Sequence, residues 1–225
     1  MKKVTNHKGW VTAIFSIIPF FIFTAIFQAM GLGISSALGD RGIINFNFDK
    51  YLELEDNLRT FLVADTIIQY LDLIGIFFLL WILMKFIDKE PFINLGFSIK
   101  GKAYDIILGM TLGLLLMAVG YSILILLGEI KFIGFNYDLK SIIVLFILFI
   151  GVSVVEETYV RGYVLKNLLK SFNPIGSLII SSAIFSFLHF LNPNVNYIAL
   201  TELFIAGILL GVSYVYTKNL WFPIA

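Results

Sequence analysis

Residues 144–162 read VLFILFIGVSVVEETYVRG, an apolar run that ends in two adjacent carboxylates and an arginine. Nearly all residues from 141 to 155 are apolar as well. About 20 such residues cross the ~30 Å hydrocarbon core of a bilayer, and ionisable groups within a bilayer are costly and usually functional. The stretch therefore predicts a membrane-spanning helix, and it raises the question of what Glu156, Glu157 and Arg161 do at its end.

The composition of the whole chain agrees with a membrane protein. Hydrophobic residues make up 59% of the 225 residues, charged residues only 14%, and the mean hydropathy is +0.94. A soluble domain of this length carries far more charge. The sequence has no Cys, which excludes disulfides, a thiol nucleophile and thiolate metal sites. It has no basic tract that would bind nucleic acid.

These patterns predict an all-α fold, a polytopic transmembrane helical bundle that forms a single membrane domain over residues 1–225. Six complete spans are predicted, and the start of a seventh at 220–225. The six are 11–34, 61–86, 103–128, 141–165, 175–191 and 198–217. The first span is too long for the apolar region of a signal peptide, so a retained helix is expected.

The placement of Lys and Arg predicts a cytoplasmic N-terminus in the cell membrane. With that orientation ten lysines, Lys2 and Lys3 among them, face the cytoplasm, and five Lys or Arg residues face outward. Residues 35–60 are expected to form a solvated outer loop. Residues 85–102 mix apolar and basic residues, which suits the headgroup region of the bilayer.

The charged residues of the fourth span differ in their expected partners. Glu157 and Arg161 lie at i and i+4, the favourable order for an ion pair, and the pair is compatible with a purely structural role. Glu156 is rotated by about 100° from Glu157 along a helix, so it is predicted to be unpaired. A buried, unpaired acid is costly, which favours a functional role for Glu156.

His189 ends the stretch SSAIFSFLH, with Phe185 one turn earlier on the same face. A single His on an apolar helix is more often a packing residue than a catalyst. The predicted spans place Glu156 in the inner half of the membrane and His189 near the outer end of its span. From their depths alone, the two residues are not expected to meet. Three further acids receive no chemical role: Asp65, Asp72 and Glu202.

A carboxylate and an imidazole that converge can activate water as a general base. The sequence has no H-E-x-x-H motif, and the only other His is His7, so a metal site is not expected and no cofactor is predicted. No strong signature supports a serine nucleophile. The pairs Gly109-x-x-x-Gly113 and Gly207-x-x-x-Gly211 are interpreted as helix-packing positions.

Three motifs together resemble a known family. EETYVR (156–161) matches E-E-x-x-x-R, FSFLH (185–189) matches F-x-x-x-H, and NLWFPIA (219–225) is similar to the approach to the family's last motif. The family is that of the CPBP membrane proteins, the CAAX proteases and bacteriocin-processing enzymes also called Abi proteins. The resemblance covers residues 95–225.

The resemblance implies a helical membrane bundle with metal-independent glutamic endopeptidase activity. By the same resemblance Glu156 is the general base, and His189 helps to hold the water. Glu157 and Arg161 support the site and Phe185 shapes it. It also implies that Glu156 and His189 meet in one cavity, against the depth estimate. The expected partners are the bilayer and a peptide or protein substrate, lipidated or not.

The family's third motif is a His followed four residues later by an Asn, and the sequence ends at Ala225, before either. Either the sequence is a piece of a longer protein, or the protein lacks the motif and its activity. Two alternative functions remain open. One is a non-catalytic immunity or scaffold protein of the same fold. The other is a proton-coupled transporter that uses Asp72 and Glu156, for which no repeated half is found.

Overall fold

The computed structural model describes residues 8–53, 58–135, 137–190, 192 and 195–225, so Lys2, Lys3 and His7 lie outside the described residues. Within these ranges every regular element is helical, which confirms the predicted all-α class. In chain order the elements are α1 Gly9–Phe15, α2 Ile17–Asp40, α3 Phe48–Glu53, α4 Leu58–Ile82, a π-helix Leu83–Asp88, a 3₁₀ turn Phe92–Leu95, α5 Ala103–Leu126, α6 Leu139–Glu157, a second π-helix Thr158–Leu165, α7 Lys166–Leu168, α8 Pro174–Leu188, α9 Tyr197–Thr217 and α10 Trp221–Ile224.

Among the described residues, five helical segments are long and apolar enough to cross a bilayer, which makes the chain a multi-pass membrane protein. They are Gly9–Asp40, Phe61–Asp88, Ala103–Leu126, Leu139–Leu168 and Tyr197–Thr217. The predicted count of six complete spans is therefore wrong by one. The predicted start of a seventh span is the single turn α10.

The predicted span 175–191 corresponds to α8, which has only 15 residues. Its length of about 22 Å is shorter than the ~30 Å of the hydrocarbon core. Its start is fixed by Asn173, whose Oδ1 accepts a hydrogen bond from the N–H of Gly176 at 2.8 Å, and by Pro174 in the first turn. Its end is His189, and the following apolar Phe190 made the span look longer in the sequence.

The centre of the bundle is the second π-helix, in which all eight residues are buried. Helix α4 packs beside it together with α6, and the α8–α9 hairpin packs on another side. Tyr159 and Tyr163 are fully buried there among aliphatic side chains of α4. The charged end of the fourth span is thus the most enclosed part of the molecule.

Glycines of α9 allow it to approach α8 closely, as predicted. A Cβ atom at Gly207 would lie 3.0 Å from the Cα of Ser182, and one at Gly211 would lie 2.6 Å from a methyl group of Leu178. In the other predicted pair, only one of the two glycines takes part in a close helix contact. Gly109 lies against the backbone of α10, whereas a Cβ atom at Gly113 would have nothing within 4 Å among the described residues.

Some described residues of the segment that was predicted to be a solvated outer loop are packed. Phe46 and Phe61 are both 7% exposed and pack together with Tyr51, whose hydroxyl donates a hydrogen bond to Asp65 at 3.0 Å. Burial and the nearby Asp65 carboxylate raise the pKa of Tyr51 to about 12. Part of the loop is therefore anchored to the start of α4.

Gly207→Ala should weaken the α8–α9 contact, because the new methyl group meets the backbone of Ser182. We expect a loss of about 1–3 kcal/mol, the usual cost of overpacking, measured by denaturant titration in detergent micelles. Gly113→Ala is the matched control, since its methyl group has open space, and it should be neutral or stabilising by up to ~1 kcal/mol. Equal effects of the two substitutions would contradict the packing described here.

Candidate active site

The predicted ion pair between Glu157 and Arg161 is present and buried. Nη1 of Arg161 lies 2.9 Å from Oε1 of Glu157, and the two side chains are 1% and 3% exposed. The guanidinium also stacks 4.3 Å from the ring centre of Phe185, and its Nη2 is 3.5 Å from the carbonyl oxygen of Gly207. Arg161 therefore joins the fourth span to both α8 and α9.

The prediction that Glu156 is unpaired is wrong. Its Oε1 lies 3.4 Å from Nε2 of His189, which is long for a direct hydrogen bond. The side chain of Glu156 remains 34% exposed, whereas that of Glu157 is enclosed. The two adjacent acids thus differ, since one is bound to a cation in the core and the other is open and faces an imidazole.

Phe185 orients the imidazole of His189. Nδ1 of His189 is 2.9 Å from the carbonyl oxygen of Phe185, and the two rings meet edge to face with 4.8 Å between centres. A carbonyl can only accept, so Nδ1 carries a hydrogen and donates it. In the neutral imidazole Nε2 is then a hydrogen-bond acceptor, so a donor such as water can bind to Nε2 and to the carboxylate of Glu156 at the same time.

The lengths of the helices explain why Glu156 and His189 meet despite the predicted difference in depth. The fourth segment extends to Leu168, not 165, so Glu156 lies 12 positions from its end, at most ~18 Å. Helix α8 starts after a five-residue connection and returns only ~22 Å before it ends at His189. The predicted end of the fourth span was three residues early, and the longer segment brings Glu156 about 4.5 Å closer to the level of His189.

Sequence reasoning missed the π-helix that carries Arg161. It begins at Thr158, directly after the two acids, and includes Gly162, where a Cβ atom would lie 3.2 Å from the carbonyl oxygen of Leu95. π-helical turns are rare and occur frequently at functional sites. A glycine beside the charged motif is the one local signal of this close approach.

Two neighbours of Glu156 along the helix were also missed. Ser153, one turn earlier, donates a hydrogen bond to the carbonyl oxygen of Ile224 at 2.8 Å and so connects α6 to α10. Tyr159, one turn later, shares a hydrogen bond of 3.1 Å with Ser16 and stacks on Phe20. Only their spacing of three residues from Glu156 could have indicated them.

The other acids lie apart in the fold. Asp65 accepts the hydrogen bond of Tyr51, Asp72 is 4% exposed within α4, and Glu202 is exposed on α9. Across the described part of the chain, no three His, Asp or Glu side chains come together in a group that could hold a metal ion.

Comparison with known families places this site in context. Residues 138–225, which include both motifs of the site, match the family model described as type II CAAX prenyl endopeptidase Rce1-like. This confirms the resemblance to the CAAX protease family. At the level of the family, this match supports an intramembrane protease of the CAAX type. No curated protein and no solved structure matches the chain.

Arg161→Met should be strongly destabilising, by about 3–5 kcal/mol, because it leaves the carboxylate of Glu157 buried without its cation. The double variant Glu157→Met/Arg161→Met removes both charges and should recover most of this loss. Denaturant titration of the three proteins in the same micelles measures the difference. A double variant as unstable as the single one would show that the pair itself does not set the cost.

Proposed function

We propose that the chain is a glutamic-type intramembrane endopeptidase in which Glu156 activates the attacking water. The contact of an open carboxylate with an imidazole, beside an acid that is already neutralised, supports this assignment best. Arg161 compensates the charge of Glu157, so the negative charge of Glu156 is the one available to a reactant. No metal ion has a part in this mechanism.

In the proposed reaction, a water molecule binds beside the contact of Glu156 with His189, where it can reach both side chains. The carboxylate of Glu156 takes a proton from the water as the oxygen attacks the carbonyl carbon of the scissile peptide bond. The new C–O bond forms a tetrahedral intermediate, and its collapse breaks the C–N bond. The proton held by Glu156 passes to the leaving amine, which returns the carboxylate to its initial state. His189, fixed through Nδ1 by the carbonyl of Phe185, orients the water through Nε2.

Glu157, Arg161 and Phe185 are proposed to act as positioning residues. The ion pair and the stacked guanidinium hold α6 and α8 in one arrangement, and with it the distance between Glu156 and His189. Such fixed geometry lowers the cost of bringing water, base and substrate together.

Hydrolysis within a membrane needs a supply of water, and the short helix α8 suggests its route. Helix α6 begins at Leu139, 17 positions before Glu156, so it extends ~26 Å beyond the level at which α8 ends. Asn192, which is exposed and follows α8, therefore lies at membrane depth. Irregular backbone at this depth occurs only inside protein or beside water, so we propose an aqueous vestibule over Asn192.

The substrate is proposed to be a peptide or protein that reaches the site from the bilayer. The matched family is described by its action on prenylated CAAX proteins, which makes a lipidated C-terminal peptide the first substrate class to test. A peptide without a lipid is the second class, and the site residues themselves make no distinction between the two.

Glu156→Gln should abolish cleavage and leave the fold intact, because it keeps the size of the side chain and removes the base. The purified proteins in proteoliposomes would be incubated with a farnesylated CAAX peptide and with its unmodified form, and products would be identified by mass spectrometry. Glu202→Gln, on the exposed face of α9, is the control and should retain the activity. Turnover by Glu156→Gln at the rate of the unaltered protein would overturn the proposal and favour a non-catalytic role.

The vestibule can be tested directly because the sequence has no native Cys. Asn192→Cys should react rapidly with a membrane-impermeant maleimide, since a thiol needs water to ionise and react. Leu114→Cys is the matched control, because Leu114 is 71% exposed on α5, within a span and without a polar connection near it. Equally slow labelling at both positions would argue that the α8–α9 connection is covered by lipid.

A further inference from the structure

A cleft lies at the other end of the bundle, where the chain leaves α4. It has a volume of about 360 Å³ and its lining includes Trp81, Lys85, Lys89, Glu90 and Phe92. Neither motif of the proposed active site contributes to it. The predicted orientation places this end at the cytoplasmic face.

The acids beside this cleft are already paired with lysines from another part of the chain. Glu90 contacts Nζ of Lys166 at 2.6 Å and Nζ of Lys170 at 2.9 Å, and Lys170 also lies 3.2 Å from Asp88. Burial opposes ionisation of Glu90, yet the two ammonium groups outweigh it and lower the pKa of this acid. Its negative charge is therefore balanced from outside the cleft.

Lys85 and Lys89 retain uncompensated positive charge. Within the described residues neither of them forms a salt bridge. The ammonium of Lys85 is held 4.5 Å from the ring centre of Trp81 and 5.4 Å from that of Phe86, an arrangement that positions the cation and leaves its N–H groups free to donate.

Lys89 adopts a backbone conformation that is unfavourable for a lysine. Its φ is 56° and its ψ is 39°, the left-handed region in which Gly or Asn usually ends a helix. The conformation turns the chain at the end of the π-helix and leaves Lys89 at the rim of the cleft. A binding role for the ammonium group would account for a lysine at a position that favours glycine.

The surroundings of the two lysines match the surface of a bilayer. Phe86 is 61% exposed, Ile87 42% and Ile93 54%, so apolar side chains surround the cationic cleft at the end of a span. Trp81 is 42% exposed, and Trp is enriched at the membrane–water interface. A soluble acidic peptide would leave these apolar side chains in water, whereas a lipid covers them with its acyl chains.

We propose that this cleft binds the phosphate headgroup of an anionic phospholipid. Lys85 and Lys89 donate hydrogen bonds to the phosphate oxygens, and Trp81 and Phe92 pack against the glycerol and the upper acyl chains. Basic pockets at the ends of spans bind anionic headgroups in this way. The site is separate from Glu156 and does not depend on the proposed peptidase function.

The experiment counts lipids that remain bound to the purified full chain. Phosphatidylglycerol or phosphatidylcholine is titrated into detergent micelles, and bound lipid is measured by native mass spectrometry. We expect preferential binding of phosphatidylglycerol. Lys85→Gln or Lys89→Gln should weaken its binding by about five-fold each, and the double variant by about 25-fold, the usual effect of a basic residue near an anionic surface.

Lys131→Gln/Lys140→Gln is the matched control, since it removes the same charge at the opposite end of the bundle, in the α5–α6 connection and in the first turn of α6. This variant should bind phosphatidylglycerol as the unaltered protein does. Circular dichroism verifies that all variants keep their helices. Equal losses in the two double variants, or no preference over phosphatidylcholine, would overturn the proposal. Full displacement of the lipid by millimolar inorganic phosphate would assign the cleft to free phosphate instead and would also overturn it.

Discussion

The buried ion pair of Glu157 and Arg161 is the interaction on which the rest of the site depends. Removing two charges from water is expensive, and their mutual attraction repays it only when the remaining donors and acceptors also find partners. Arg161 finds further contacts on two other helices, with the ring of Phe185 and the carbonyl of Gly207, whereas Oε2 of Glu157 has no hydrogen-bond partner among the described residues. The contacts of this one buried pair therefore fix the positions of α8 and α9 relative to α6. The close α8–α9 contact at Gly207 completes the arrangement.

This arrangement separates the functions of two neighbouring, chemically identical groups. Glu156 and Glu157 differ by one position, and the rotation of about 100° between them directs one side chain into the core and the other toward His189. The guanidinium of Arg161 offsets the charge of Glu157 and so weakens its effect on the proposed general base. The same helix geometry that makes the i,i+4 pair favourable thus leaves Glu156 exposed and available to a reactant.

The sequence predicted those features that depend on hydrophobicity or on local spacing. Long apolar runs identified five spans, and the separation of Glu157 from Arg161 identified their pair. Helix termination was less predictable, because hydropathy measures transfer into lipid and not the point at which a backbone turns. The early end of α8 and the π-helix after Glu157 were not visible in the hydropathy pattern. The errors at these helix boundaries contributed to the predicted difference in membrane depth between Glu156 and His189.

The unequal lengths of the fourth segment and of α8 act together at the proposed site. The segment Leu139–Leu168 has 30 residues, more than a bilayer requires, whereas α8 has 15, fewer than it requires. A longer α8 would carry its C-terminal His189 past Glu156 toward the far interface, and it would replace the polar connection after it with apolar helix. The short helix instead ends near the level of Glu156, and it places the imidazole of His189 beside that carboxylate. A mismatch between helix length and bilayer thickness costs little in a flexible bilayer. Here the mismatch brings Glu156 and His189 together, as the proposed hydrolysis requires.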